Sequence, residues 1–385
     1  MRKIRRTPYH SWLVGKLPEG CRHCVRGRKT VLLVTGLCSS RCWYCPLSAR
    51  KKGRDVIVAN EWWIKKPAEV LEEARLCSST GAGFTGGDPL YRIDRTVKYI
   101  RLFKKRFGKR FHIHLYTTGR SATRRNLRRL YDAGLDEIRF HPDFLKSDFS
   151  RSPGLEMALE FDWDVGCEIP VIPGRLKETE KFIDYISSLG VRFLNLNELE
   201  ISETNVNEMH ERGFRAVSDA SSAVKGSREA GLKLLQYCAR NTRLNVHFCT
   251  VKLKDAVQLR NRLKRRAKNV AKEYDIVTGD GLLIRGALYL PELTPSFGYQ
   301  DKLERLTQQT RRSYLSKLSR TARRLSETLG IPPILLEVDR RRLRILTGAW
   351  VAEELADEIK KAGLKPAVVE EYPTWDSLCV DLRML

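Results

Sequence analysis

Apolar runs of strand length alternate with helical patterns from residue 31 to about 250. The first run, Val31-Leu-Leu-Val-Thr35, ends at Gly36. A helix opened by Pro67 follows, with Val70, Leu71, Ala74 and Leu76 apolar, and it closes before Gly81. Next come a short strand over 82–85, a helix over 94–107 and a strand over 111–116. That helix turns Val97, Ile100 and Phe103 inward and Lys98, Arg101, Lys104 and Lys105 outward. The order repeats as a helix from a Ser121 cap to Tyr131, a strand over 137–140, a helix near 153–161, a strand over 165–171, a helix over 177–188 and a strand over 192–197. Six β/α units predict an α/β fold with a parallel sheet, and a partial (β/α)6 barrel ahead of a doubly wound open sheet. A helix over 226–240 and a strand over 244–248 leave a seventh unit open.

After about residue 270 the pattern changes. Residues 277–284 predict a hairpin turning at Asp280-Gly281, and a basic helical stretch covers roughly 300–329. The tail predicts strands over 334–338 and 342–346, a helix over 351–362, and strands over 367–372 and 378–382. The expected organisation is an N-terminal segment (1–30), a partial barrel (31–270), and a basic helix with a small α+β domain (271–385).

Composition sharpens this picture. Hydrophobic residues make up 42% of the 385, which excludes disorder of the whole chain. Lys and Arg number 71 against 46 Asp and Glu, a net charge of +25 that points to a polyanionic partner, most often nucleic acid. The basic clusters 101–110, 120–129, 252–268 and 311–324 lie on separate predicted helices, so a composite face spanning both domains is expected rather than a basic arm. Trp62, Trp63 and Tyr314 offer stacking surfaces. The basic start Met1–Arg6 runs into Thr7-Pro-Tyr-His-Ser11 instead of an apolar signal core, and no run approaches the roughly 18 apolar residues of a membrane span. A cytoplasmic protein without membrane contact is expected. Ten cysteines there are metal ligands or core residues sooner than disulfides.

The strongest chemical signal is Cys38-Ser-Ser-Arg-Cys42-Trp-Tyr-Cys45, directly after the first strand, on the face where β/α barrels keep their chemistry. Three thiolates within eight residues can wrap one inorganic cluster and leave one iron open; a zinc site completed by a distant ligand is the alternative. This Cys-x3-Cys-x2-Cys run, with Tyr44 before its last cysteine, resembles the signature of radical S-adenosylmethionine (SAM) enzymes. The resemblance covers about residues 31–200, and within the superfamily it is nearest to archaeal proteins related to pyruvate formate-lyase activating enzyme. It implies a [4Fe–4S] cluster held by Cys38, Cys42 and Cys45, SAM on the fourth iron, Tyr44 near the adenine, and an electron donor such as ferredoxin or flavodoxin.

Thr85-Gly-Gly-Asp-Pro89 ends the second strand and resembles the family's Gly-Gly-Glu-Pro motif, which implies that Gly86, Gly87 and Asp88 meet the methionine amino group. A side chain at Gly87 would then intrude on the ligand. Asp88 is one methylene shorter than the family's Glu. Further polar residues near strand ends are Thr117, Thr118, Gly119, His141, Asn195, Asn197 and Glu198, site candidates or simple loop caps. Ile169-Pro-Val-Ile-Pro-Gly174 resembles the family's glycine-ended fifth strand.

Cys21-Arg-His-Cys24 is half of a second metal site, which Cys249 with His247 would complete as a Cys3His set, or Cys249 with Cys238 as a four-cysteine set, for zinc or an auxiliary iron–sulfur cluster. Two unrelated groups of thiols are the alternative. Cys77, Cys167 and Cys379 sit in apolar contexts and are expected in the core. The sequence leaves two classes of function. One is a radical SAM enzyme, modifying RNA such as transfer RNA, or else activating a glycyl radical enzyme or acting on another protein or metabolite. The other is a metal-stabilised RNA-binding protein without catalysis, which would have no use for the Gly-Gly-Asp-Pro motif.

Overall fold

The computed structural model describes residues 1–146, 153–296 and 298–385. The chain divides into two compact units, Met1–Arg262 and Leu263–Leu385.

The first unit is built on seven parallel strands: β1 (Lys29–Thr35), β2 (Gly81–Gly86), β3 (His112–Thr117), β4 (Glu137–Phe140), β5 (Asp164–Val171), β6 (Phe193–Glu198) and β7 (Asn245–Cys249). They lie side by side in chain order, so the seventh unit is formed. The sheet is open rather than closed. A short hairpin at Val58–Trp63 extends it beyond β1, and the N-terminal strand Trp12–Val14 runs antiparallel to β7 at the other edge.

Each strand obeys a period of two. One face carries Leu32, Val34, Ile113, Leu115, Ile138, Phe140, Leu194, Leu196, Val246 and Phe248 into an apolar layer under the helices. These helices include α2 (Pro67–Leu76), α3 (Ile93–Phe107), α4 (Arg124–Ala133), α6 (Leu176–Ser188) and α8 (Ser227–Asn241); the labels α1, α5 and α7 go to Glu19–Val25, Gly154–Ala158 and Val206–Glu211. The opposite face, which lines the lumen, is polar: His114, Tyr116, Glu137, Arg139, His141, Glu168, Asn195, Asn197 and His247. Most β/α barrels instead fill this space with branched apolar layers.

Several boundaries move for local reasons. The cap of α4 is Thr123, whose Oγ1 accepts from Asn126 N at 3.2 Å, not Ser121, two residues earlier. The N-terminal segment is structured, with α1 crossing the N-terminal end of the lumen: Gly20 N donates to Glu137 Oε2 at 3.1 Å. Sequence periodicity also misses the hairpin Ala216–Val224 and a π-helical turn at Lys254–Leu259.

In the second unit, strands β8 (Leu283–Tyr289), β9 (Glu337–Asp339), β10 (Arg344–Thr347), β11 (Lys365–Glu371) and β12 (Cys379–Met384) form an antiparallel sheet. The predicted hairpin closes with Gly281 at φ +86°, pairing Val277 with Leu283. The long basic helix α9 (Gln308–Leu329) is shorter than predicted because Thr307 caps it with Oγ1 at 3.1 Å from Thr310 N. The strand predicted from 334 begins only at Glu337, since Pro332 and Pro333 impose a 3-10 turn. Helix 351–362 is two short helices, Ala349–Glu354 and Ala356–Lys361. At the centre, the Arg344 guanidinium donates to both Glu371 oxygens at 2.6 and 2.8 Å, fully buried. Cys77 and Cys167 lie in the core, but Cys379 is only half-buried because β12 is an edge strand.

Candidate active site

β1 delivers the chain to the C-terminal mouth of the barrel, and residues 36–54 loop over it. Cys38, Cys42 and Cys45 are free, partly buried thiols on this loop. Burial pushes the Cys38 and Cys42 thiols up, and each is raised further by the negative charge the neighbouring thiols would carry. Raised thiols at Cys38 and Cys42 suit a bound metal, whose charge stabilises the thiolates. Among the described residues, no three Cys, His, Asp or Glu side chains converge on the position of a single ion. Thiolates on three different irons of a cube stand further apart than ligands of one ion, so the loop remains suited to a cluster.

The loop is braced from the far side of the barrel by the connection after β6. Asn205, buried, donates through Nδ2 to Tyr44 O and Glu200 O, both at 3.1 Å, and accepts from Ser202 N at 2.7 Å. Phe214 stacks on Trp43 with centroids 5.5 Å apart, and the Arg212 guanidinium lies over the same indole at 5.0 Å. None of these supports carries a local sequence signal; only the fold brings residues 199–214 to the cysteine loop. Replacing Asn205 with Ala leaves two carbonyls without this donor, at about 1–3 kcal/mol. The expected outcome is a lower melting temperature and less iron retained after anaerobic gel filtration, with Asn205→Asp failing to restore either.

Gly86 and Gly87 lie where β2 meets the start of the cysteine loop. Gly87 N donates to Thr35 O and Asp88 N to Leu37 O, both at 2.8 Å. A Cβ on Gly87 would run into the Leu37 carbonyl, so the first reason for glycine here is backbone contact with the cysteine loop. Gly87→Ala should therefore displace that loop and reduce cluster content, measured as iron and absorbance after reconstitution; loss of SAM affinity with full cluster content would restore the ligand-clearance account.

Asp88 is buried and fully engaged. Its carboxylate accepts from Leu90 N (3.0 Å), Thr118 N (3.0 Å), Thr118 Oγ1 (2.7 Å) and Thr117 Oγ1 (3.1 Å). With both oxygens used, this shorter acid braces the ends of β2 and β3 rather than reaching outward. Thr117 and Thr118 are thus its hydrogen-bond partners. Tyr44 Oη lies 2.9 Å from His141 Nε2, and His141 Nδ1 lies 2.7 Å from Glu168 O. Burial lowers the His141 pKa and raises that of Tyr44, keeping both neutral.

Below this lies a charged lumen. Arg139 donates to Glu137 (2.5 Å) and Glu168 (2.8 Å), while Asn195 and Asn197 donate to the same Glu168 carboxylate at 2.8 and 3.0 Å. Burial alone would raise the Glu168 carboxyl; Arg139 and the two amides outweigh it and bring it down to about 2. Asn195 and Asn197 are therefore lumen residues attached to Glu168.

The residues of the expected second metal site lie at the lumen side of β7 and α1, each with contacts of its own. Cys21 Sγ accepts from Asn195 Nδ2 at 3.3 Å and Arg139 Nη2 at 3.5 Å, and burial keeps its thiol up at about 11. His247 Nε2 faces Ser11 Oγ at 3.0 Å. Cys249 is near enough to Cys24 and Cys21 to feel their charge, and Cys238 is buried in the apolar layer on α8. A guanidinium beside Cys21 is itself unfavourable for a cation.

A half-open parallel barrel with a three-thiol loop at its mouth and a Gly-Gly-Asp-Pro turn beside it defines a class of cofactor-dependent enzyme. The radical SAM superfamily matches residues 32–192, and a domain of unknown function, DUF8061, matches residues 312–383. A curated protein of Methanocaldococcus jannaschii, provisionally named a glycyl-radical enzyme activating enzyme, is 40% identical over 353 residues, covering 88% of this chain and 89% of the relative. Solved structures resemble it more loosely. SuiB of Streptococcus suis, bound to its precursor peptide SuiA, has a TM-score of 0.41 at 12% identity over 58% of this chain and 48% of its own. Coproporphyrinogen III oxidase of Escherichia coli has a TM-score of 0.37 at 9% identity, over 90% and 94%. The chain belongs to the radical SAM superfamily, as a relative of the glycyl-radical enzyme activating enzymes. It is an enzyme that uses a [4Fe–4S] cluster and SAM. Among the described residues no helix is long and apolar enough to cross a membrane.

Proposed function

We propose that Cys38, Cys42 and Cys45 hold the cluster, that the Gly86–Asp88 turn and Tyr44 shape the SAM site, and that the enzyme takes a hydrogen atom from a partner protein, as an activating enzyme does. A [4Fe–4S] cluster on Cys38, Cys42 and Cys45 would supply one-electron reductive cleavage of bound SAM and, through it, hydrogen-atom abstraction from the substrate. The observation that carries this reading is the group of free thiols on one mouth loop, adjoining the Gly-Gly turn. The chain's own contribution is positional: Asn205 fixes the loop, Asp88 ties β2 to β3, and the Tyr44–His141 pair closes the mouth with neutral groups. The protein substrate rests on the relative that matches along nearly the whole chain. An electron donor such as ferredoxin or flavodoxin completes the reaction.

A second reading, RNA modification, is favoured by charge. The barrel unit carries 49 Lys and Arg against 29 Asp and Glu, so most of the excess lies on the unit with the site. The discriminating experiment supplies reconstituted, dithionite-reduced enzyme with the protein or the RNA fraction of its native host. The protein reading expects the doublet spectrum of a glycyl radical and extra 5′-deoxyadenosine with the protein fraction alone. Stimulation by RNA alone, with a modified nucleoside appearing, reverses the assignment.

A further inference from the structure

From residue 91 to 129 the chain holds 14 Lys and Arg and a single acid, Asp94. The fold concentrates this charge on one flank of the barrel. α3 starts where the Gly-Gly-Asp-Pro turn ends and packs beside α4, and a groove of about 360 Å³ lies along α3. Lys98, Arg101, Lys105 and Arg129 line it over an apolar floor that includes Val97. Asp94, the one acid, is ion-paired with Arg129 and adds no free negative charge. Lys98, Arg101 and Lys105 are exposed, and none of the three has an acidic partner among the described residues. Their spacing puts them on one face of the helix, along about 10 Å.

At the head of this ridge, next to the SAM-site turn, stands Tyr91. It is 48% exposed, while most aromatic rings of the unit are buried or half-buried, and Arg92 lies 5.7 Å from its ring centre. A row of unpaired cations alone would suit any polyanion. A row that starts at an open aromatic face suits one whose anionic groups alternate with flat rings, because bases stack on such rings while phosphates follow the cations. A tyrosine can also anchor a protein interface, so it is the ring and the cation row together that favour a nucleic acid.

We infer that the α3 flank is a docking surface for single-stranded or looped RNA, with one base on Tyr91 and the phosphates running along Lys98, Arg101 and Lys105 away from the barrel mouth. This rests on the RNA reading of the preceding section and gives it an address. The cluster at 252–268 is a poorer candidate, since Arg266 is buried against Pro373 O at 2.6 Å and Lys254 is paired with Glu200.

The test measures binding of a short, fluorescein-labelled single-stranded RNA to the full-length protein by anisotropy over a range of salt. Comparisons are Tyr91→Ala, the triple variant Lys98→Ala/Arg101→Ala/Lys105→Ala, and a polyglutamate peptide as competitor. The expected result is a steep fall of affinity with salt, and a log–log slope about 2 units shallower in the triple variant, because each phosphate left without its cation takes roughly 0.7 from the slope. Tyr91→Ala should lose about tenfold in affinity with an unchanged slope. SAM cleavage without RNA should be unaffected in both. RNA binding with unaltered slope and affinity in all variants overturns the ridge while leaving the RNA reading standing. Absence of salt-dependent RNA binding in the parent protein overturns both. Competition by polyglutamate as strong as by unlabelled RNA, with no loss in Tyr91→Ala, makes the flank a protein-docking surface and also overturns the proposal.

Discussion

Single replacement of Cys38, Cys42 or Cys45 with alanine is expected to reduce 5′-deoxyadenosine formation to background and to remove the iron–sulfur absorption, with the fold intact. The three thiols lie on a partly exposed loop outside the apolar layer, so their loss leaves no buried cavity. Cys77→Ala and Cys167→Ala supply the contrast. Both are fully buried, and their replacement should lower the melting temperature while leaving activity per cluster unchanged. The measurements are product formation after anaerobic reconstitution, iron content, and circular dichroism. Undiminished product in any one of the three loop variants would remove that cysteine from the ligand set.

Arg139→Met is expected to be the most destabilising single change in the lumen. Arg139 is 2% exposed and serves Glu137 and Glu168 together. Burial works against its charge, but Cys21, Glu137, Tyr116 and Glu168 around it hold its pKa well above the ordinary arginine value. Removing it leaves carboxylates buried without their cation, at about 3–5 kcal/mol. The pH dependence fixes the cause. In the parent, the Glu168 carboxyl is depressed to about 2, so its contribution is present above the unfolded carboxylate value and is lost as pH falls towards 2. In Arg139→Met the same burial without the cation raises the carboxyl, so the variant should gain stability on going from neutral to mildly acidic pH. Urea unfolding at both pH values measures this. A deficit that is the same at both would mean that packing, not charge, sets the cost.

Six strands were legible as apolar or alternating runs set between helical patterns, with the seventh left open, and the cysteine loop because its spacing is compact and local. The lumen was less legible. Glu168, Arg139 and Tyr116 look in the sequence like the exposed half of half-buried strands, and only curvature of the sheet turns that face inward. Asp88 stands in the sequence next to the Gly-Gly turn, yet three of its four donors come from Thr117 and Thr118 at the end of β3, which no spacing rule links to it. The grouping of Cys21 and Cys24 with His247 and Cys249 came from metal-ligand spacing; the contacts of Cys21 with Arg139 and Asn195 need the long-range register of β4 and β6. Asn205 had no signal, since an asparagine in a polar loop is ordinary until its neighbours are known.

The N-terminal strand that completes the sheet carries a consequence for synthesis. Trp12–Val14 bonds to β7, and Lys16 N reaches Asn245 Oδ1 across 229 residues of chain. A ribosome working at about 5–20 residues per second therefore exposes the first residues for roughly 10–50 seconds before their partner strand emerges. During that interval the hairpin Ile4–Val14 and α1 have no sheet edge or lumen to occupy. The growing chain thus finishes its barrel with a segment made long before β7, and a bulky fusion ahead of Trp12–Val14 would be felt at this last step of assembly rather than in the finished enzyme.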